Sequence, residues 1–296
     1  MDNKSALIAQ HWSKPSNLPP RTRWWQSETI VRHINKRICG KDVPGTDGGD
    51  IEKIKQILSG ARLERGISIG CGGAWHELRM LAAGCVDNFD LYELSETRRA
   101  QAIASAKAMG LSHRIRFPEG DAFSSNERYD LIYWKDALHH MPSAYEAMAW
   151  SHDRLSPSGL FYMNEFVGPT FMQYSDRQLD LAERVRVTLH EKYLRDPRQP
   201  TKVVPLRRVR PRLASIKQDD PSECQDSANI LPAFRATFPL GTIIPTGGVV
   251  YMLAMNDILA NFDEKHDADL IKALMLADDF CMESGEYLYA VSWSRA

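Results

Sequence analysis

The chain has 296 residues, 43% hydrophobic and 25% charged, the balance of an ordinary globular protein, with enough length for one large domain or two smaller ones. Lys and Arg number 37 against 38 Asp and Glu, a formal charge of −1, which argues against a surface built as a whole for nucleic acid or anionic lipid. The longest apolar run, Val249 to Met255, falls far short of the roughly 18–20 residues that span a bilayer. The polar start Met1-Asp2-Asn3-Lys4 has no signal-peptide core, and five scattered cysteines without a CxxC pair form neither a disulfide framework nor a zinc motif. A reduced, cytoplasmic protein is expected.

Residues 1–50 are expected to form an N-terminal helical cap. Pro15, Pro19 and Pro20 precede Arg21-Thr-Arg-Trp-Trp25, and Ile30, Val31, Ile34 and Ile38 then recur at helical spacing until Gly40. From Ile51 the pattern alternates. A helix ends near Gly60, Gly66–Gly70 is a buried strand, Trp75–Ala83 a helix and Phe89–Glu93 a second strand. Ser95 caps a helix to Gly110, Arg114–Phe117 is a third strand, Tyr129–Trp134 a fourth and Gly159–Asn164 a fifth. Such alternation predicts a parallel sheet covered on both faces, a core over 51–165.

Residues 166–226 break the alternation and are expected to form a lid insertion. Ser175-Asp-Arg-Gln178 is a capping box for a helix reaching about Leu194, after which Pro197, Pro200, Pro205 and Pro211 forbid long regular structure. The C-terminal part, 227–296, returns to the core. It has a helix over Ser227–Phe238, an extended Gly241–Pro245, helices over Val249–Phe262 and Asp267–Glu283, and a last strand over Tyr287–Ser294.

Three features carry chemistry. Gly70-Cys-Gly-Gly73 lies between the first strand and a helix, where glycines admit a ligand close to the backbone and the helix end is positive. Trp75 occupies the third glycine position of a dinucleotide fingerprint, which argues against NAD or FAD. Glu93 ends the second strand, where a carboxylate can accept both hydroxyls of a ribose. Asp121, in Gly120-Asp-Ala-Phe123, can accept from an adenine amino group while the backbone beyond it donates to the ring. Each alone also fits a plain turn or a solvated strand end. In order along successive strand ends, they read adenosine from three sides with no Lys or Arg for a phosphate.

These residues, Ile67-Ser-Ile-Gly-Cys-Gly-Gly73, Leu91-Tyr-Glu-Leu-Ser95, Gly120–Phe123 and Tyr129–Met141, resemble the class I S-adenosylmethionine-dependent methyltransferases. A weaker resemblance, through Asn164–Pro169 and Asp220–Glu223, is to a bacterial small-molecule or saccharide tailoring subgroup. The family resemblance implies a Rossmann-like doubly wound α/β sheet of order 3-2-1-4-5-7-6. It implies S-adenosylmethionine held by Gly70 and Gly72 with the flanking Ile69 and Cys71, by Glu93 with Leu94, by Asp121 with Ala122, and at Lys135. Methyl transfer to an oxygen of a sugar or specialised metabolite then calls for a proton acceptor. His139, Asp136 and His140, beyond the fourth strand, are the candidates, and tandem histidines can also simply pin the loop.

Trp24, Trp25, Glu165, Tyr174 and Arg177 are the expected acceptor-side residues, and Arg21 and Arg23 lie in the same cap. Transfer to nitrogen or carbon, or a partner protein that binds cofactor without transferring, are the alternatives. No Asn/Asp-Pro-Pro-aromatic sequence follows the fourth strand, and no Asp/Asn cluster has magnesium-ligand spacing, so no metal is expected. Between Arg177 and Lys217, 12 Lys and Arg stand against four Asp and Glu. A lid attracting an anionic acceptor and a solvated basic surface both explain this. Arg207–Arg212 lacks the interleaved aromatics of a nucleic-acid patch. Neither nucleic acid nor membrane is an expected partner, and a homo-oligomer is compatible with the sequence.

Overall fold

The computed structural model describes residues 3–14 and 22–296. Pro15, Pro19, Pro20 and Arg21 lie outside the described residues. Helix α1 (Asn3–Ser13) is followed by a 3-10 turn at Trp24–Gln26, then α2 (Glu28–Cys39) and α3 (Gly48–Leu58). Ser27 caps α2 by accepting from the Ile30 amide, and Gly40, at φ 76°, ends it in the left-handed conformation. The core strands and helices follow as β1 (Leu63–Ile69), α4 (Trp75–Ala82), β2 (Val86–Tyr92), α5 (Glu96–Ala108), β3 (Ile115–Arg116), β4 (Tyr129–Lys135), α6 (Ala144–Arg154) and β5 (Leu155–Phe166). The expected third strand is thus reduced to two residues at the sheet edge.

The insertion holds α7 (Asp176–Thr188), a hairpin of β6 (Arg195–Asp196) and β7 (Gln199–Val203), and α8 (Leu213–Asp219). The Ser175/Gln178 capping box is formed as expected. The helix it starts stops at Thr188, and Glu191–Leu194 is a separate 3-10 turn. The chain closes with α9 (Ile230–Thr237), β8 (Thr242–Gly247), α10 (Ala268–Glu283) and β9 (Tyr289–Arg295).

The seven-stranded sheet has the order β3-β2-β1-β4-β5-β9-β8. β1 to β5 are parallel, and β9 runs antiparallel between β5 and β8. This is the expected 3-2-1-4-5-7-6 order, with the small β6–β7 hairpin lying outside the sheet. Successive strand residues alternate between two cores. Ile132, Trp134, Phe161 and Met163 meet α6 and α9 on one face, while Leu131, Tyr133, Leu160 and Tyr162 share the other with α2, α3 and α4. Phe161 stacks on Phe238 at 4.6 Å, and each such ring contributes on the order of 2–3 kcal/mol through burial.

One expected helix is different. Val249–Ala254 is a π-helical turn, and Leu259–Asn261 a 3-10 turn, rather than one helix to Phe262. The buried Asp278 carboxylate accepts from the Gly248 and Val250 amides at 2.9 and 2.6 Å, and Arg186, 1% exposed, donates to the Ala254 carbonyl at 2.8 Å. Tertiary partners at both ends satisfy backbone groups that a regular helix would pair internally.

Candidate functional site

At the carboxyl edge of the sheet, β1 turns into α4 through Gly70 and Gly72 at φ 70° and 55°. The Gly70 amide donates to the Tyr92 carbonyl at 2.8 Å, locking the turn to the end of β2. The Gly72 amide donates to Glu93 Oε2 at 2.8 Å and the Ser95 amide to Oε1 at 2.7 Å. Glu93 is therefore held in place while each oxygen keeps a lone pair for a hydroxyl. No atom lies within 4 Å of where a Cβ of Gly72 would stand, so the turn faces open space. Asp121 is exposed and accepts from the Phe123 amide at 3.1 Å, and Ala122 beside it is buried. Ile69 and Cys71 flank the turn, and Leu94 is 46% exposed beside Glu93. These residues fit an adenosine-bearing cofactor, with the carboxylate of Glu93 for a ribose and the glycine turn for its aminoacyl end.

Beneath the turn, Glu77 of α4 is fully enclosed and accepts from Ser68 Oγ at 2.6 Å. Burial raises its carboxyl to about 7, against the opposing effect of the Ser68 hydrogen bond. The unfolded chain ionises near 4.5 while the folded one keeps the proton to about 7. Stability from this group is therefore complete below the lower value and lost as pH rises through the upper one. Glu77→Gln is expected to exceed wild type in stability at pH 8 by about 3 kcal/mol and to match it near pH 4. Urea unfolding at the two pH values checks this, and equal differences at both would exclude it.

The loop after β4 begins at Asp136, an exposed non-glycine residue at φ 50°. Such a conformation costs of order 1–3 kcal/mol and collects at functional sites. Lys135 Nζ, buried beneath it, lies 3.5 Å from Asp136 Oδ2 and 3.6 Å from Asp50 Oδ2. Asp50 is in turn held by Tyr162 Oη at 2.8 Å and Asn164 Nδ2 at 2.9 Å.

His139, the first of the expected proton-acceptor candidates, is enclosed rather than open to an acceptor. Its ring is 8% exposed, and Nδ1 lies 2.8 Å from Glu165 Oε2. Glu165, expected on the acceptor side, is wholly buried, and its Oε1 accepts from the Ala137 and Leu138 amides at 2.7 and 2.8 Å. Burial lowers the His139 pKa, but the hydrogen bond and charge of Glu165 outweigh it and hold it up at about 9. A ring protonated at neutral pH takes no proton, so this setting disfavours His139 as a base. His140 is pushed down to about 4 by burial and by the neighbouring His139 charge. Its Nδ1 lies 3.0 Å from Ser222 Oγ.

Next to Lys135 a narrow cleft is lined by Trp24, Asn35, Asn164, Tyr251 and Tyr289. Trp24 packs on Tyr251 and Tyr289 with ring centroids 5.1 and 5.5 Å apart. Of the expected acceptor-side residues, Trp24 lines this cleft and the others do not. Trp25 is 44% exposed and Tyr174 5% exposed, and Arg177 Nε pairs with Glu286 at 3.0 Å. Part of the basic insertion is neutralised locally: Arg207 pairs with Asp180 and Glu183, Arg210 with Asp176, and Arg208 with Asp257. This favours the solvated-surface explanation of its charge. Helix α1 crosses the mouth, with Ser13 Oγ 2.8 Å from Ser95 Oγ and Trp12 edge-on to His140 at 5.4 Å.

The sequence pattern missed Asp50, Tyr251 and Tyr289. The first lies in an ordinary amphipathic helix and the other two in apolar segments, so none carried a signal of its own. No helix among the described residues is long and apolar enough to cross a membrane.

No family model matches the sequence. Among solved structures, the chain is similar to geranyl diphosphate C-methyltransferase from Streptomyces coelicolor A3(2), in complex with Mg2+, geranyl diphosphate and S-adenosyl-L-homocysteine. The identity is 10% and the TM-score 0.54, covering 99% of this chain and 98% of that one. A geranyl diphosphate methyltransferase in complex with GPP and sinefungin gives a TM-score of 0.51 at 10% identity, with 99% and 98% covered. The [4+2]-cyclase SpnF gives 0.47 at 16% identity, with 95% and 98% covered. The fold is the Rossmann-like fold of the two geranyl diphosphate methyltransferase structures.

Proposed function

We propose that this chain is an S-adenosylmethionine-dependent methyltransferase acting on an oxygen of a small molecule. The observation that carries the reading is the Gly70–Gly73 turn with its Gly72 amide on Glu93, and Asp121 at the next strand end. The turn and Ile69, Cys71, Leu94 and Ala122 would hold the cofactor, which supplies an electrophilic methyl group. The fold shared with a geranyl diphosphate methyltransferase supports the same direction.

The chain's own contribution is alignment, exclusion of water and removal of a proton. Asp136 is the proton acceptor we assign, because its carboxylate is exposed at the strand end, whereas His139 is enclosed on Glu165. Lys135 Nζ, 3.5 Å away, lies against that carboxylate and helps to hold it in place. The cleft of Trp24, Tyr251 and Tyr289 beside Lys135 has room for about one water, so an acceptor reaches Asp136 there only when these rings move apart. Helix α1 and the insertion over 166–226 close the mouth from either side.

Asp136→Asn keeps a residue that tolerates a positive φ and removes only the proton acceptor. It is expected to lower turnover with an alcohol acceptor by about 10²–10⁴-fold while S-adenosylhomocysteine affinity stays within a few-fold. Labelled-methyl transfer and calorimetry read the two quantities. Unchanged turnover would remove Asp136 from the mechanism. The likeness to a C-methyltransferase gives a second reading, transfer to carbon, which a product labelled on carbon identifies.

A further inference from the structure

The loop after β4 and the end of the insertion meet in a cluster that methyl transfer leaves without a task. His139, Glu223 and Cys224 offer ligand atoms within 4.8 Å of one another, and His140, Asp220 and Glu223 form an overlapping group of the same size. We propose that His139, Glu223 and Cys224 bind one zinc-class divalent ion, with a fourth position left open.

Four observations support this. The Nδ1 of His139 is committed to Glu165 at 2.8 Å, so Nε2 is the ring nitrogen free to bind a metal. A carboxylate behind the second ring nitrogen is the usual support of a metal-bound histidine, fixing its tautomer and orientation. Cys224 Sγ donates to Glu223 Oε1 at 3.0 Å, and its backbone is held at φ 51°. That backbone conformation holds the thiol in place against Glu223. Asp220, 3% exposed, has Oδ1 taken by the Ser222 amide and hydroxyl, while Oδ2 accepts no hydrogen bond and faces His140 at 3.8 Å. A buried carboxylate oxygen without a donor carries a desolvation cost that a nearby cation offsets.

Charge points the same way: Glu165, Glu223 and Asp220 converge on two imidazoles, leaving the cluster short of positive charge. Thiolate, imidazole and carboxylate together select zinc-class ions over magnesium, which takes oxygen ligands. Bonds of about 2.0–2.3 Å to a tetrahedral ion set donor separations of roughly 3.5 Å, so the Cys224–Glu223 pair, now 3.0 Å apart, opens slightly and any pair near the 4.8 Å limit closes. On binding, the Cys224 S–H and His139 N–H protons pass to solvent and two ligand–metal bonds replace them, with no change of oxidation state.

The test uses the full chain, stripped with chelator and titrated with Co2+. Visible absorption then reports tetrahedral geometry, and near-ultraviolet charge transfer reports a bound thiolate. One equivalent with both signatures, displaced by Zn2+, is the expected result. Cys224→Ser removes the charge-transfer band. Glu165→Gln, which keeps an acceptor for the loop amides, weakens binding by about 10–100-fold. Should Cys224→Ser fail to fold, Glu223→Gln serves in its place, with the tetrahedral bands lost. Absence of thiolate charge transfer in the wild type, an unchanged spectrum in both ligand variants, or calorimetric binding of Mg2+ alone would each overturn the assignment. No acceptor or methyl donor enters the assay, so its failure leaves the methyltransferase reading separately testable.

Discussion

Glu165→Ala is expected to lower the unfolding free energy by about 3–5 kcal/mol, the range for removing one partner of a buried charged pair. Glu165 has no exposed surface and accepts three hydrogen bonds, from the Ala137 amide, the Leu138 amide and His139. Truncation leaves two buried amides without acceptors and a buried imidazole that must give up its proton. Glu165→Gln retains an oxygen for the amides and is expected to cost less than half as much. Urea midpoints of the three proteins at pH 7 read the order. A Glu165→Ala loss below 1 kcal/mol would mean that water reaches the loop amides and that Glu165 is not what holds them.

The second large effect is at the glycine turn. Gly72 sits at φ 55°, with open space where a side chain would project. Arginine there would fill the volume assigned to the cofactor and add strain of about 1–2 kcal/mol from the left-handed backbone. Gly72→Arg is expected to weaken S-adenosylhomocysteine binding by more than about 100-fold, equivalent to roughly 3 kcal/mol, while the protein remains folded. Gly72→Ala separates the two causes, because it carries the strain without the bulk and is expected to keep most of the affinity. Calorimetric titration of both variants, with circular dichroism as the check of folding, measures this. Full affinity in Gly72→Arg would move the cofactor off the turn.

The sheet was legible because the central residues of its strands are buried and mostly apolar, and because glycine and serine caps mark the intervening helices. Gly70, Gly72, Glu93 and Asp121 were legible for a related reason: each stands where a parallel strand ends, so strand positions locate them. The Val249–Ala254 turn was not legible. Its apolar run suits any buried element, and the Asp278 and Arg186 side chains that decide its geometry come from distant segments.

The surroundings of His139 were hidden for the same reason. Nothing near it in sequence shows that Glu165 lies behind it, or that Ser222, 82 positions from His140, lies against the same loop. The charge of the insertion left two explanations open because its partners are distant in sequence. Arg207, Arg208 and Arg210 form an excess in sequence, yet Asp176, Asp180, Glu183 and Asp257 meet them in space.

The central claim is that the turn from Gly70 to Gly73, with Glu93 and Asp121, binds S-adenosylmethionine. Calorimetric titration of the full chain with S-adenosylhomocysteine, with NAD as control, tests it most directly. Micromolar binding of S-adenosylhomocysteine and none of NAD is the predicted result. Binding of NAD, or of neither by a folded protein even with candidate acceptors present, would contradict it.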